Sequence, residues 1–477
     1  MLKIWLKKIM PEKWLNYYHQ LLALTAPWLY GRPAEKLIIV GVTGTNGKTS
    51  TCIFIAKILA AAGFKVGVAS SAIFKIGNRE WLNDKKMTML GRFALQKMLK
   101  KIVEADCRYA VIETSSQGIE QFRHLGIHYD IAVFTNLTPE HLEAHAGFDN
   151  YKQAKLKLFR HLEKLKHKKL SFFCHPDPAL AGEGSQVSPR DPSPTAQDDI
   201  VKKVIVANGD DKYVSKFLDF KVDNKIVYGI NSSDKEFSIF NFQFSNNFQF
   251  INIQNIIYKN DGISFSIHNT DFNLKLFGEF NVYNSLAAIA VAQSQGIDLA
   301  VCKKALEKIT VMPGRMEFIN EGQPYKVLVD YAPEPESMRQ LFETIRRHNL
   351  VKGKIIHVFG SCGGGRDLAR RPILGELSAK NAAIQIITNE DPYDDDPNII
   401  IEQVAIGAAK AGKVLGENLF KILDRREAIK FALSQAQPGD LVLLTGKGCE
   451  QAICIAGGKK IKWDDREVAR EELKKIL

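Results

Sequence analysis

From Lys36 onward, apolar runs of strand length alternate with longer stretches of helical periodicity, which is the pattern of an α/β protein. "KLIIVGVTG" reads as a buried strand, "KTSTCIFIAKILAAAG" as a helix closed by Gly63, and "KVGVASS" as the next strand. "RYAVIETSS" and "YDIAVFTNL" add two further strands, so the expected core is a doubly wound sheet with working loops at strand C-termini. Residues 171–199 break the rhythm with Pro, Ser, Gly and Asp, predicting a disordered insertion without a catalytic role. Residues 221–277 alternate polar with apolar or aromatic positions around a "KNDG" turn, predicting a small antiparallel sheet. "FNVYNSLAAIAVAQSQG" reads as a helix ended by Gly296. After "MPGRME" a second α/β series begins, with strands near "YKVLVDYA", "KIIHVFGS", "AIQIITNE" and "DLVLLTGKG". The expected organisation is an N-terminal amphipathic helical segment (1–35), a central domain (36–312) and a C-terminal Rossmann-like α/β domain (313–477).

Composition narrows this little. The 477 residues are 45% hydrophobic and 25% charged, ordinary for a globular chain. The net charge of +12 suits anionic substrates; without an Arg-rich tract or an RNA-binding signature, no nucleic-acid partner is expected. Seven scattered cysteines without a CxxC pair fit a reducing cytoplasm and argue against a disulfide framework or a zinc site. The opening "MLKIWLKKIMPEKWLNYYHQLLALTAPWLYGRP" is basic, aromatic and apolar, but has no uninterrupted span long enough for a membrane helix. Packing on its own domain, contact with a partner, and attachment to the inner membrane face all stay open for residues 1–35.

The stretch "IIVGVTGTNGKTSTCIF" carries the chemistry. A Gly-rich turn between strand and helix aims backbone N–H groups and a helix N-terminus at an anion. Gly44, Thr45, Asn46 and Gly47 form the turn, Lys48 adds a positive charge, and Thr49 and Ser50 bring hydroxyls, Thr49 being placed for Mg²⁺. The strict G-x-x-x-x-G-K-[ST] spacing fails by one residue, because position 42 is Val. The turn by itself does not choose ATP over GTP.

"TGTNGKTST" resembles the ATP loop of the Mur ligases. "IETSSQGIEQFRHLGI", "VFTNLTPEHLEAH", "YKQAKLKLF", "GEFNVYNSLAA", "MPGRME", "VDYAPEPES", "VFGSCGGGRDLARRP", "EDPYDDDP", "DRREAI", "LLTGKGCEQ" and "DDREVARE" follow in the order of the MurE-type branch, from about residue 37 to 470. The resemblance implies a P-loop ATPase core and an ATP- and Mg²⁺-dependent ligase. Such a ligase joins an amino acid to the carboxylate of UDP-MurNAc-L-Ala-D-Glu through an acyl phosphate. By the same resemblance, Glu113 and Thr49 hold the nucleotide-linked Mg²⁺, His141 is a ligand of a second metal, and Lys155 is the lysine that the family carries as a carbamate. Asn281 matches an adenine contact, Arg315 a phosphate contact and Asp330 a ribose contact. Ser116 and Arg123 match contacts to the muramyl peptide. For the incoming amino acid, Arg366 matches a carboxylate partner and Glu450 an ammonium partner.

This chain departs from the pattern in three places. The phosphate loop starts near residue 41, so the uridine-holding N-terminal domain of MurE-type enzymes is expected to be absent or reduced to one helical segment. The selectivity motif D-N-P-R of diaminopimelate enzymes is replaced by Glu390, Asp391, Pro392 and Tyr393. A diamino acid is the expected substrate, with lysine and diaminopimelate both open. Gln117, Pro333 and Cys449 stand where the family commonly has His. Two other readings remain: a Mur-like ligase with another acceptor, such as a lipid-linked muramyl peptide, and a nucleotide-binding protein that has lost its chemistry.

Overall fold

The computed structural model describes residues 12–139, 143, 145–170, 199–230, 247–365 and 368–476. The predicted insertion therefore lies outside the described residues except for Asp199, which opens a two-residue strand paired with Lys169–Leu170. Residues 1–11 also lie outside them.

The larger sheet has nine strands: β1 (Ile38–Thr43), β2 (Val66–Ala69), β3 (Ile73–Ile76), β4 (Arg79–Leu82), β5 (Tyr109–Glu113), β6 (Ile131–Phe134), β7 (Val204–Asn208), β8 (Asn224–Gly229) and β9 (Phe248–Asn252). Their spatial order is β9-β8-β7-β6-β1-β5-β2-β3-β4. All pairs are parallel except the β2–β3 and β3–β4 contacts. Chain order runs in opposite directions on the two sides of β1, which makes its C-terminal end a topological switch point, where open α/β sheets bind ligands. Helices cover both faces, so β1, β5, β6 and β7 are buried at every position.

Two parts of this sheet differ from the pattern-based expectation. Residues 224–229 and 248–252 were expected in the antiparallel set, yet they extend the parallel sheet at its edge. Ile226, Val227 and Tyr228 are buried consecutively, which alternation alone does not reveal. Only β10 (Gln254–Lys259), β11 (Gly262–Ile267) and β12 (Thr270–Leu274) form the small antiparallel sheet. The β3–β4 hairpin is a further addition, turned at Gly77.

A second sheet of six strands follows: β13 (Glu317–Ile319), β14 (Lys326–Val329), β15 (Ile355–Phe359), β16 (Ile384–Ile387), β17 (Leu419–Lys421) and β18 (Leu441–Leu444). Its order is β13-β14-β18-β15-β16-β17, parallel apart from the β13 edge. Separate apolar layers lie on its two faces, one around Leu328, Phe359 and Leu443 and the other around Val329, Val358 and Leu444. The fold is thus α/β, with a nine-stranded doubly wound sheet, a small antiparallel sheet and a C-terminal α/β unit.

Before the first sheet, helix Glu12–Leu29 buries Ala23 and Ala26 and leaves Trp14, Tyr17, Leu21, Leu24 and Trp28 exposed. Among the described residues, no helix is long and apolar enough to cross a membrane. None of the six described cysteines is in a disulfide.

Candidate active site

The loop after β1 passes directly into the helix Lys48–Ala61. Gly47 caps that helix at φ +80°, and a Cβ there would collide with Asn284 Oδ1. Only glycine therefore lets the turn close against the helix Glu279–Ser294. A Cβ on Gly44 would collide with Thr135 Oγ1, so the loop also lies tight against the end of β6. Asn136 locks it further, accepting from Asn46 N at 2.8 Å and Thr45 N at 2.9 Å.

Two lysines converge on this loop. Lys48 Nζ donates to Thr45 O at 2.7 Å, and Lys155 Nζ donates to Gly44 O at 2.7 Å. Lys155 projects from the helix Phe148–Lys164, is only 1% exposed, and lies over the Tyr151 ring. The Tyr151 hydroxyl is 3.1 Å from Thr45 Oγ1.

At the end of β5, Glu113 is 2% exposed and accepts from Thr49 Oγ1 at 2.9 Å, Ser71 N at 2.7 Å and Ser71 Oγ at 3.0 Å. A buried carboxylate beside a threonine hydroxyl suits a hard cation that keeps most of its oxygen ligands from nucleotide and water. Among the described residues no cluster of three or more His, Cys, Asp or Glu forms a preassembled metal cage. His141 lies outside the described residues, as does Arg366. Nearby, Ser116 Oγ is 3.0 Å from His145 Nε2, and burial lowers the His145 pKa.

The second sheet faces the loop. Asp330 follows β14 and accepts from Met316 N at 2.7 Å and Ala332 N at 2.9 Å. Burial raises its pKa, and Arg315 pulls it back down. Arg315 stacks over Tyr331 at 4.5 Å. Ser337 Oγ reaches Asn46 Oδ1 at 3.3 Å, a direct contact between the two sheet units.

One cavity of about 540 Å³ lies between them. Its wall includes the phosphate loop from Thr45 to Ser50, Glu113, Ser116, Arg123, Lys155, Arg315, Asp330 and Tyr393. The structure therefore brings most of the sequence-selected residues to one space. Asn281 is set back from that wall: its carboxamide donates to Phe277 O at 2.8 Å and accepts from Asn284 at 3.2 Å, and its neighbours Phe280, Tyr283 and Asn284 line the cavity instead.

Glu390, Asp391 and Glu450 are likewise behind the wall. Glu390 accepts from Cys362 Sγ at 2.8 Å, and burial raises its pKa against the pull of Arg370. Asp391 is also buried, which raises its pKa, but Lys447 and Lys86 outweigh that and hold it below the usual carboxylate range. Lys447 is fully buried and bonds Asp391 at 2.9 Å, Glu450 at 2.8 Å and Ala452 O at 2.8 Å. Burial lowers its pKa, but Glu450 and Asp391 drive it well above normal. Lys86, Ser71, Tyr151 and Lys447 are site residues that sequence reasoning did not select. Ser71 ends the strand run "KVGVASS", Tyr151 opens "YKQAKLKLF" and Lys447 lies in "LLTGKGCEQ"; Lys86 carried no local signal.

Comparison with known proteins identifies the family. Residues 42–181 and 198–292 match the Mur ligase middle domain, and residues 314–448 match the Mur ligase glutamate ligase domain. A UDP-N-acetylmuramyl-tripeptide synthetase of Roseiflexus sp. (strain RS-1) is 36% identical over 463 residues, covering 95% of this chain and 82% of that protein. A UDP-N-acetylmuramoyl-L-alanyl-D-glutamate--2,6-diaminopimelate ligase of Bacillus cereus is 32% identical over 458 residues, covering 95% and 81%. A solved diaminopimelate ligase structure superposes with a TM-score of 0.56 at 27% identity, covering 96% of this chain and 83% of that one. Folylpolyglutamate synthase of Mycobacterium tuberculosis complexed with ADP, at 16% identity and a TM-score of 0.61, shares the fold, covering 90% of this chain and 91% of that one.

Proposed function

This chain belongs to the Mur ligase family, and we propose that it adds an amino acid, a diamino acid in our reading, to the terminal carboxylate of UDP-MurNAc-L-Ala-D-Glu. The observation that carries the proposal is the single cavity shared by the phosphate loop and by Asp330 and Arg315 of the second sheet. In this reading ATP lies along the loop, with its phosphates on the backbone N–H groups and Lys48. Arg315 approaches the phosphates from the opposite side, and Asp330 meets the ribose.

The chemical difficulty is electrostatic, since a carboxylate must approach a polyanion. Lys48 and Arg315 supply positive charge around the loop. Thr49 and Glu113 would hold Mg²⁺, which when bound neutralises phosphate charge. The acceptor carboxylate attacks the γ-phosphorus, the bond to the β-bridging oxygen breaks, and ADP leaves. The amine of the incoming amino acid then attacks the acyl carbon of the acyl phosphate. Inorganic phosphate departs with the bonding pair, and the amine loses a proton as the amide forms. Closure of the two sheet units over the cavity excludes water from the acyl phosphate, an arrangement the Asn46–Ser337 contact supports. Ser116 and Arg123 are assigned to the muramyl peptide, and carbamylation of Lys155 is part of the same proposal.

A second reading, a lipid-linked muramyl peptide as acceptor, draws on the exposed aromatic face of helix Glu12–Leu29. That helix packs on helix Arg92–Glu104, whose Arg92 bonds Gln121 O beside the cavity wall.

The test is phosphate release from ATP by the purified chain with Mg²⁺, UDP-MurNAc-L-Ala-D-Glu and a panel of amino acids. Release that depends on the amino acid, with a tripeptide product by mass, supports the main reading. Release only with a lipid-linked acceptor supports the second. No release with either acceptor overturns both.

A further inference from the structure

Asp391 and Glu450 are two carboxylates that share two lysine ammonium groups, Lys447 and Lys86. Asp391 Oδ1 is committed to the protein, accepting from Lys447 Nζ at 2.9 Å and Cys454 N at 2.7 Å. Its other oxygen faces forward and receives Lys86 Nζ at 2.5 Å. Lys86 Nζ is also 3.2 Å from Glu450 Oε2. Lys447 neutralises the carboxylates from behind, and Lys86 closes them from the cavity side.

Lys86 comes from the other sheet unit. It sits after β4 on the segment leading to Met89, at φ +52°, and lines the cavity with Met87, Thr88 and Met89. Its side chain is 5% exposed, while Asp391 and Glu450 do not reach the cavity wall. The four charges sum to zero with Lys86 in place. An arriving ammonium would leave this group, buried at Asp391 and Lys447 and 23% exposed at Glu450, with a net positive charge unless Lys86 withdrew, and an unbalanced, largely buried charge is costly. Lys86 offers a primary ammonium on an unbranched stem, the same chemistry as the side chain of a diamino acid.

We propose that Lys86 is a specificity-determining residue: it occupies the ammonium receptor formed by Asp391 and Glu450, and a cationic amino-acid side chain binds by displacing it. This rests on the ligase reading above. A neutral side chain cannot replace the lost pairing, so the exchange selects for a second amine. The exchange also removes one of the ties between this segment and the second sheet unit, while Lys460 Nζ stays on Lys85 O at 3.2 Å.

The test uses the full chain with Mg²⁺ and a non-hydrolysable ATP analogue, titrated calorimetrically with L-lysine, diaminopimelate and norleucine. Lys86→Met should tighten binding of the better diamino acid by about tenfold or more, as expected for removing a desolvated competing charge pair. Norleucine binding should not improve, and Lys86→Arg should behave as the parent chain. A second measurement needs no variant: amine-selective acetylation followed by mass spectrometry. Lys86 should be protected in the chain alone and with norleucine, and become modified when the diamino acid is bound. Unchanged or weaker diamino-acid binding by Lys86→Met, or a Lys86 that stays protected in the amino-acid complex, would reduce it to a tie between the sheet units. If those results came with normal ligation by the parent chain, this inference alone would fall. Absence of amino-acid-dependent ATP turnover in the parent chain would overturn the ligase reading and this inference together.

Discussion

Individual side chains divide the site into charge and hydroxyl roles. Lys48 rests on a loop carbonyl, so it can release a neutral acceptor in exchange for a phosphate. Lys48→Ala should lower ATP turnover by about 100-fold or more, the scale for losing a charge-stabilising group at a transferring phosphoryl. Parent-like single-turnover rates would refute its role. Lys155→Ala should also be impaired, with partial recovery on adding a short carboxylate, because a carbamate is an anion that a small acid can replace. Full activity without the additive would remove the carbamate assignment. At this scale the sequence was most informative where one short string carries the geometry. The Gly44–Ser50 turn is such a string, and its Gly47 sits at φ +80° close against Asn284. It was least informative for Lys86, whose partner Asp391 lies 305 positions away. In a chain this rich in lysine, such a residue reads as part of a solvated surface.

Elements of the second sheet unit depend on close backbone approach and on one buried imidazole. Helices Arg370–Asn381 and Pro397–Lys410 cross where Gly375 meets Val404 O and Gly407 meets the backbone of Pro372. In an open helix, Gly→Ala stabilises by about 1 kcal/mol. Here the added Cβ has no room, so Gly407→Ala should destabilise by about 1–3 kcal/mol, measured as a lower urea midpoint. A raised midpoint would show that the helices can part without cost. His357 lies within β15, its ring nitrogens 2.8 Å from Ser378 Oγ and 2.9 Å from Thr445 Oγ1. Burial pushes its pKa down to about 3, with Arg425 adding to the effect. The unfolded imidazole, near pH 6.5, then binds a proton that the folded one refuses. Stability should therefore fall as pH drops from about 6.5 toward 3, by about 1.4 kcal/mol per unit for this residue. Denaturant unfolding of His357→Gln should show a slope shallower by that amount, and an unchanged slope would mean the folded histidine takes up the proton. Periodicity identified the parallel strands because they are continuously apolar. It misassigned β8 and β9, whose edge positions mix polar and apolar residues as a hairpin does.

Across the whole molecule, both sheets direct the C-terminal ends of their strands toward one cavity. From the first sheet come the ends of β1, β5 and β6, with the phosphate loop, Glu113 and Asn136. From the second come the end of β14, with Asp330, and the loops that carry Tyr393 and Arg370. Each half was readable separately, because family motifs are local strings. Their meeting over ATP followed from the resemblance, through Arg315 and Asp330, but the side-chain contacts that form it, such as Asn46–Ser337 and Lys86–Asp391, were not readable. The same limit explains Asn281, whose motif matched while its carboxamide turned to Phe277 O and Asn284. In the proposed reading, this shared cavity couples ATP cleavage to amide formation. The most direct measurement is phosphate release from ATP with UDP-MurNAc-L-Ala-D-Glu, with and without a diamino acid, and the product mass read from the same reaction. Release should require both substrates and leave a product heavier by one amino-acid residue. Phosphate release that ignores the amino acid, with the acceptor mass unchanged, would contradict it.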